Sequence, residues 1–274
     1  MPRDGVAVLG IDAAWTDGEP SGVALVQWRA GSWRCLGVAP SYAGFCDGFE
    51  WSERTKRGPF DAAAILKRCS VLADDAPTVV AVDMPVATEQ IVGRRAADQE
   101  VSRRFGHCKC STHSPNAVRP GPVGRRLYDA LIDRKFRLAT GHDSGGPSLL
   151  EVYPHPALLG LMQVGERVPY KISKRQTYWP GEPTEARKRL LVERWRAILV
   201  ELAAHIDGIE SPLPAYPEKS AFTALKPYED ALDALVAAWV GIEFIEGRAI
   251  ALGDATAAIW VPSSSMSFAK PDAA

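Results

Sequence analysis

The sequence predicts a single α/β domain built around a mixed β-sheet, and the spacing of its apolar residues is the main observation behind this. Short apolar runs rich in β-branched residues over 6–11, 23–28 and 32–38 indicate three consecutive strands joined by short turns. Apolar residues at helical spacing over 61–72 indicate a helix, and residues 78–82 then form a continuous apolar run. A fully apolar strand that follows a helix is typical of the parallel centre of a sheet.

The rest of the chain continues to alternate helices and strands, which gives the predicted order β-β-β-α-β-α-β-α. The further predicted elements are helices near 90–105 and 124–137, a strand at 148–152, a short helix at 156–163, helices at 184–205 and 227–246, and a last strand near 257–261. We predict one domain over residues 1–274, within which residues 86–148 form a helical insertion or cap.

The composition is that of an ordinary globular protein, with 46% hydrophobic and 24% charged residues. No apolar stretch approaches the ~18 residues of a membrane-spanning helix, so we expect no membrane partner. The N-terminus lacks the apolar region of a signal peptide, and the five cysteines are odd in number. We therefore expect a reducing, cytoplasmic location without a disulfide scaffold.

The predicted insertion is basic, although the whole chain carries a net charge of only −1. Residues 86–148 contain eleven Lys and Arg but six Asp and Glu. Such a block is either a solvated face or a surface that binds anions. On the second interpretation, Arg119, Arg125 and Arg126 are the candidates for contacts with phosphate groups.

Two carboxylates directly follow predicted buried strands. Asp12 ends the first strand and Asp83 ends the fourth. Side chains at the carboxyl ends of central strands converge in the crevice where open α/β sheets bind ligands. Asp230 and Asp233 lie at positions i and i+3 of the last long helix, so they share one helix face.

An all-oxygen set of this kind suits Mg²⁺ or Mn²⁺. A pair of such ions activates water and stabilises the leaving oxygen when a phosphodiester is cleaved. Each residue also has a purely structural interpretation. Asp12 could cap a turn, Asp83 could simply end a strand, and Glu229 and Asp230 could favour the helix macrodipole.

The order of these pieces resembles the ribonuclease H-like fold, and the helical acidic motif resembles that of RuvC-type resolvases. The chain as a whole resembles domain-of-unknown-function family 429, which is described as predicted nucleases of that fold. The matching pieces are GIDAAW at 10–15, AVDMP at 81–85, RAAD at 95–98, EVYP at 151–154 and DALDALVAA at 230–238. One departure is that RuvC-type enzymes usually have Glu where this chain has Asp83, whose shorter side chain changes the distance to a metal.

The resemblance implies a divalent-metal-dependent nuclease that uses Mg²⁺ or Mn²⁺ and acts on DNA or RNA. Asp12, Asp83, Asp230 and Asp233 would be the metal ligands and catalytic residues. The sequence keeps two alternatives open. One is a small-molecule phosphotransferase of the actin and sugar-kinase superfamily, and the other is a non-catalytic nucleic-acid-binding module. The sequence also leaves open whether the protein forms a homodimer.

Further polar residues are weaker candidates. Glu151 ends another apolar strand and is either an extra catalytic carboxylate or a hydrogen-bond acceptor. Arg95 either contacts substrate or forms a surface ion pair with Asp98. Lys171, Lys174 and Arg175 are either a phosphate-contacting loop or, as is commoner, solvated side chains. His155 could assist proton transfer, although a packed surface histidine is the commoner case.

Four potential zinc ligands occur within seven residues, at His107, Cys108, Cys110 and His113. The Cys-x-Cys spacing is tighter than the usual Cys-x₂-Cys, and the sequence has no second Cys/His pair nearby. We therefore expect no tightly held zinc in this segment.

Overall fold

A mixed β-sheet forms the centre of the protein in the computed structural model. The model describes residues 4–49, 51, 55–142, 145–209 and 221–271. The strands found in this part of the chain are β1 (Ala7–Asp12), β2 (Gly22–Arg29), β3 (Ser32–Ala39), β4 (Val79–Val82), β5 (Arg137–Leu138), β6 (Ser148–Val152), β7 (Ala249–Gly253) and β8 (Ala258–Pro262). They lie in the order β3-β2-β1-β4-β6-β8-β7, and the short β5 pairs with β6.

The centre of the sheet is parallel and its flanks are antiparallel. β1, β4, β6 and β8 run in the same direction, whereas β2 is antiparallel to β1 and β3, and β7 is antiparallel to β8. All four residues of β4 are buried, because helices cover both of its faces. The apolar character of that run therefore predicted its central, parallel position, which is confirmed.

Helices cover both faces of the sheet. In the described residues they are α1 (Tyr42–Asp47), α2 (Ala62–Ala73), α3 (Ala96–Phe105), α4 (Pro122–Ile132), α5 (Pro154–Met162), α6 (Arg175–Tyr178), α7 (Thr184–Ala203) and α8 (Phe222–Ile245). One hydrophobic cluster joins α5, α7 and α8 to one face, and a second joins α1, α2 and α4 to the other. Successive residues of β1 alternate between them, with Val8 in the first cluster and Leu9 in the second.

α8 packs directly on the backbone of the first two strands. A Cβ on Gly10 would lie 2.1 Å from the carbonyl oxygen of Ala234, and one on Gly22 would lie 2.0 Å from that of Asp230. A side chain at either position would push the helix away from the sheet. These glycines therefore fix how closely α8, with its acidic motif, approaches the end of β1.

Several predicted boundaries are wrong. α8 begins at Phe222, five residues before the predicted start at Pro227, because a proline is tolerated inside a well-packed helix although it lacks a backbone N–H. α4 ends at Ile132 instead of 137, because Lys135 adopts a left-handed conformation with φ of 70° and its N–H turns back to the Ile132 carbonyl. The sequence analysis also missed α1, α6, β5 and β7.

The basic block 86–148 contains α3, α4 and the short strand β5. α4 contributes Leu127 and Leu131 to the second hydrophobic cluster, and α3 contributes Val101 and Phe105 to a third cluster with β7 and β8. The block is therefore packed into the body of the protein. None of the described helices is long and apolar enough to cross a membrane.

Candidate functional site

Strand pairing brings the two predicted strand-end carboxylates to one edge of the sheet. Ile11 pairs with Val82, and the next backbone N–H, that of Asp83, donates to the carbonyl of Ile11 at 2.8 Å. Asp12 and Asp83 therefore follow the same rung of the ladder. Glu151 pairs with Val82 on the next parallel strand, so it lies at the same edge.

The close approach of α8 adds the two helical carboxylates to this edge. Gly22 pairs with Asp12 in the β1–β2 ladder, and the backbone of Asp230 lies directly over Gly22. Asp230 is 2% exposed and Asp233 is fully buried. The structure thus brings together Asp12, Asp83, Asp230 and Asp233, the four residues that the sequence analysis selected as metal ligands.

Two lysines and a tyrosine lie among these carboxylates. Lys171 forms an ion pair with Asp233 Oδ2, and the Tyr170 hydroxyl donates to Asp233 Oδ1 at 2.6 Å. Lys226 forms an ion pair with Asp230 and a second with Glu229, the latter at 2.9 Å. Lys171 is therefore not the freely solvated lysine of one interpretation, and its contact with phosphate stays a prediction.

Glu229, Lys226 and Tyr170 are site residues that sequence reasoning missed. Glu229 was interpreted only as a partner of the helix macrodipole, but it is 2% exposed and its Oε2 accepts the backbone N–H of Ile172 at 2.5 Å. The sequence carried one usable signal, since Lys226 and Asp230 stand four residues apart and so share a helix face. Nothing local pointed to Tyr170.

The crowding of acidic groups makes their charged forms unfavourable. Burial and the nearby Asp12 raise the pKa of Asp83 well above its ordinary value. Burial also raises the pKa of Asp230, against the opposing effect of Lys226. Burial raises the pKa of Asp233 to about 6, although Lys171 opposes the rise. We call the five carboxyl groups of Asp12, Asp83, Asp230, Asp233 and Glu229 the acidic cluster. They share the two ammonium groups of Lys171 and Lys226.

The donor set of the acidic cluster fits a divalent cation chemically, because every candidate ligand is a carboxylate oxygen. Asp230 Oδ2 is buried without a hydrogen-bond partner among the described residues, which is unusual for a buried carboxylate oxygen. No group of three His, Cys, Asp or Glu within the described residues is already arranged to hold a metal ion. The ammonium groups of Lys171 and Lys226 pair with the same carboxylates, so binding a metal would require them to shift.

Glu151 and Arg95 form a buried ion-pair network instead of an exposed substrate contact. Arg95 donates to both oxygens of Glu151 at 2.6 Å and to both oxygens of Asp98 at 2.9 Å. Glu151 Oε2 also accepts the Val86 N–H at 2.9 Å, which ties down the segment after Asp83. The expected pair of Arg95 and Asp98 is present, but its predicted surface location is wrong, since Asp98 is 1% exposed.

The other predicted phosphate contacts are not paired with the acidic cluster in the described residues. Arg125 pairs with Asp129 at 2.6 Å and lines a separate cavity of about 460 Å³. Arg126 pairs with Asp17 at 2.6 Å, and Arg119 is exposed. Arg125 also donates to the Thr88 carbonyl beyond β4 at 3.2 Å, and Asp17 follows β1, but within the described residues none of the three arginines pairs with Asp12, Asp83, Asp230 or Asp233.

A cleft opens beside the acidic cluster, and we call it the strand-end cleft. It has a volume of about 300 Å³, and Asp83, Tyr153, His155, Lys171 and Lys226 are among its lining residues. His155 is 5% exposed, so its predicted surface position is wrong. It is buried because it follows β6 directly and packs between Tyr153 and Tyr170, with ring centroids 5.2 and 5.5 Å away.

The cysteine- and histidine-rich segment shows ordinary packing contacts. The Cys108 and Cys110 thiols are buried and donate to the carbonyls of Phe268 and Cys108 at 3.3 and 3.4 Å. Burial raises the pKa of Cys110 to about 12, which keeps this thiol protonated at neutral pH. The expectation that this segment holds no zinc stays a prediction.

Comparison with known proteins gives a single kind of match. No curated protein and no solved structure matches the chain. A family model described as a protein of unknown function, DUF429, matches residues 10–257. This range includes both strand-end aspartates, α8 and, except for Ile259, the residues that line the strand-end cleft. Because the match covers most of the sequence, the chain belongs to the DUF429 family.

Proposed function

We propose that this protein is a divalent-metal-dependent phosphodiesterase that hydrolyses nucleic acid. The observation that carries the proposal is the convergence of Asp12, Asp83, Asp230 and Asp233 at one sheet edge, with one buried carboxylate oxygen left unpartnered. Burial, together with the neighbouring carboxylates, raises the pKa of three of these groups, and a bound cation would neutralise them without protonation.

We propose further that the sheet is of the ribonuclease H-like type. Along the order β3-β2-β1-β4-β6, only β2 runs against the other four strands. This arrangement, with acidic residues after the first and fourth strands and on a helix packed against them, supports the proposal. Fold alone does not fix activity, so the site residues carry the functional argument.

The four aspartates would hold the metal, with Lys171 and Lys226 giving up part of their present pairing. Bound there, Mg²⁺ or Mn²⁺ supplies an activated water and stabilises the charge that develops on the leaving oxygen. Tyr170 keeps Asp233 oriented through its 2.6 Å hydrogen bond. Arg95 and Glu151 act indirectly, because they hold the segment after Asp83 in place.

The test is cleavage of labelled single-stranded, duplex and branched DNA and RNA with Mg²⁺, Mn²⁺ or EDTA. Wild-type protein should cleave at least one substrate in a metal-dependent way, and Asp12→Asn and Asp233→Asn should lower turnover roughly a hundredfold or more, since they remove metal ligands. Asp75→Asn is the matched control. Asp75 is exposed and precedes β4, at the opposite edge of the sheet. Equal activity of Asp12→Asn and Asp75→Asn would refute the proposed catalytic site.

A further inference from the structure

The lining of the strand-end cleft includes two cationic side chains that are not paired with carboxylates of the described residues. Arg167 and Lys174 line the cleft, and neither forms a salt bridge with any carboxylate in the described part of the chain. Arg167 Nε is buried and has no hydrogen-bond partner of its own among those residues, although the guanidinium lies beside the Tyr178 hydroxyl. Its backbone N–H donates to the Cys108 carbonyl at 2.9 Å, which fixes the segment that presents it.

His155 provides a second, independent observation in the same cleft. It is more than nine-tenths buried and lines the cleft, and its Nδ1 has no hydrogen-bond partner among the described residues. Buried polar atoms are nearly always hydrogen-bonded, so a buried ring nitrogen without a partner beside a cleft is a candidate contact for a ligand. His155 also stands in the first turn of α5, whose amino end favours negative charge. Pro154 and Pro156 flank it and lack backbone N–H groups, so the side chains must supply most of the donors.

An aromatic side chain completes the lining. Trp15 follows β1, is partly exposed, and borders the same cleft. Aromatic side chains that border a cationic groove are the usual platforms on which nucleobases stack. The cleft volume of about 300 Å³ is at the lower limit of small-molecule sites, so it has room for one nucleotide unit but not for a duplex.

We propose that Arg167, Lys174 and His155 form a phosphate subsite and that Trp15 stacks on the adjoining base, so that the cleft takes one nucleoside phosphate unit. This inference rests on the proposed function, because it names the part of the substrate that lies beside the acidic cluster. The shared chemistry is a nucleoside phosphate ester, from either a single strand or a free nucleotide. Arg167 and Lys174 would bind the phosphoryl oxygens, and a cation held by the carboxylates would neutralise the rest of the phosphoryl charge.

The subsite is tested by binding alone, in EDTA, by titration calorimetry of the full chain. The probes are inorganic phosphate, adenosine 5′-monophosphate, a single-stranded hexanucleotide and a blunt duplex. Lys174→Gln and Arg167→Gln should weaken binding of phosphate and of the monophosphate roughly ten- to a hundredfold, the loss expected for one hydrogen bond to a charged group. Arg196→Gln, an exposed change on α7, is the matched control and should leave binding unchanged.

Trp15→Ala separates the two halves of the proposal. It should weaken binding of the monophosphate roughly tenfold or more, because base stacking is lost, and leave inorganic phosphate unaffected. If the hexanucleotide binds more tightly than the monophosphate, the nucleoside phosphate unit comes from a single strand. If the two bind equally, it comes from a free nucleotide. Both results support the subsite. A duplex that binds as tightly as the single strand would overturn it.

The phosphate subsite is overturned if Lys174→Gln and Arg167→Gln bind phosphate as tightly as wild type does. Lys174 is exposed, so its substitution tests the subsite even if Arg167→Gln fails to fold. Failure of the proposed function can be distinguished from failure of the subsite. If the function fails and the subsite is correct, the protein binds phosphate, both substitutions weaken that binding, and no metal-dependent cleavage is seen. Cleavage that both substitutions leave unchanged would instead refute the subsite and keep the function.

Discussion

Replacing Gly10 by alanine should loosen the whole site, because this glycine lets α8 lie directly on β1. The added Cβ would be 2.1 Å from the Ala234 carbonyl oxygen and 2.5 Å from the Ala238 nitrogen, and both are backbone atoms that cannot turn aside. An ordinary contact starts near 3.4 Å, so the helix must retreat by roughly 1 Å. Overpacking of this kind typically costs about 1–3 kcal/mol, and a backbone clash belongs at the upper end.

A loss of about 3 kcal/mol lowers the melting temperature by roughly 6–12 °C for a domain of this size. The matched control is Gly165→Ala, because a Cβ there meets no atom within 4 Å and should change stability by less than about 0.5 kcal/mol. Differential scanning calorimetry measures both. Equal melting temperatures for the two variants would refute the direct contact between α8 and β1. The same retreat carries Asp230 and Asp233 away from Asp12, so Gly10→Ala should also lose any stabilisation by Mn²⁺.

The remaining predictions concern the metal, the buried histidine and the basic block. Mn²⁺ should raise the melting temperature of wild type and Asp75→Asn but not of Asp12→Asn, since a cation that binds the folded state relieves carboxylate repulsion; equal shifts in all three proteins would contradict the site. Burial, followed by the charge of Arg167, lowers the pKa of His155 well below 6.5, so the unfolded chain takes up a proton that the folded protein does not. The stability that this provides is complete above about pH 6.5 and is lost as the pH falls. In His155→Phe, the free energy of unfolding measured in urea should therefore differ less between pH 7 and pH 5 than it does in wild type. If the basic block binds a polyanion, replacing Arg125 and Arg126 by Gln should reduce the salt slope of nucleic-acid binding by about 2; an unchanged slope in fluorescence titrations would exclude these arginines from the interface.

Local patterns predicted the strands well because burial on both faces requires an uninterrupted apolar run. Val79–Val82 was found in this way, whereas Ser148–Val152 was found from a run that Glu151 interrupts, and both strands are central in the sheet. Element ends were less predictable. Pro227 was taken as the first residue of a helix, which is the commonest place for proline, but packing against the sheet sustains an additional turn before it.

Long-range pairing explains what sequence reasoning missed in the site. Lys171 and Asp233 are 62 positions apart, and Arg95 and Glu151 are 56 apart, so no local spacing connects them. The pair of Arg95 with Asp98 was visible at i and i+3, but its burial depends on Glu151 from another element. The basic residues that line the strand-end cleft could not be told from solvated ones, since Arg167 and Lys174 lie in a segment without periodicity.

The sequence by itself determined the alternation of strands and helices and the placing of Asp12 and Asp83 at strand ends, because both follow from the apolar period of nearby residues. It also selected Asp230 and Asp233, which share a helix face through simple helical geometry. Only the tertiary structure decided that α8 lies against Gly10 and Gly22, which sets the depth of those two carboxylates. The tertiary structure likewise decided which charges are paired and which face the cleft, because charge pairing depends on distances between elements that the chain order leaves free.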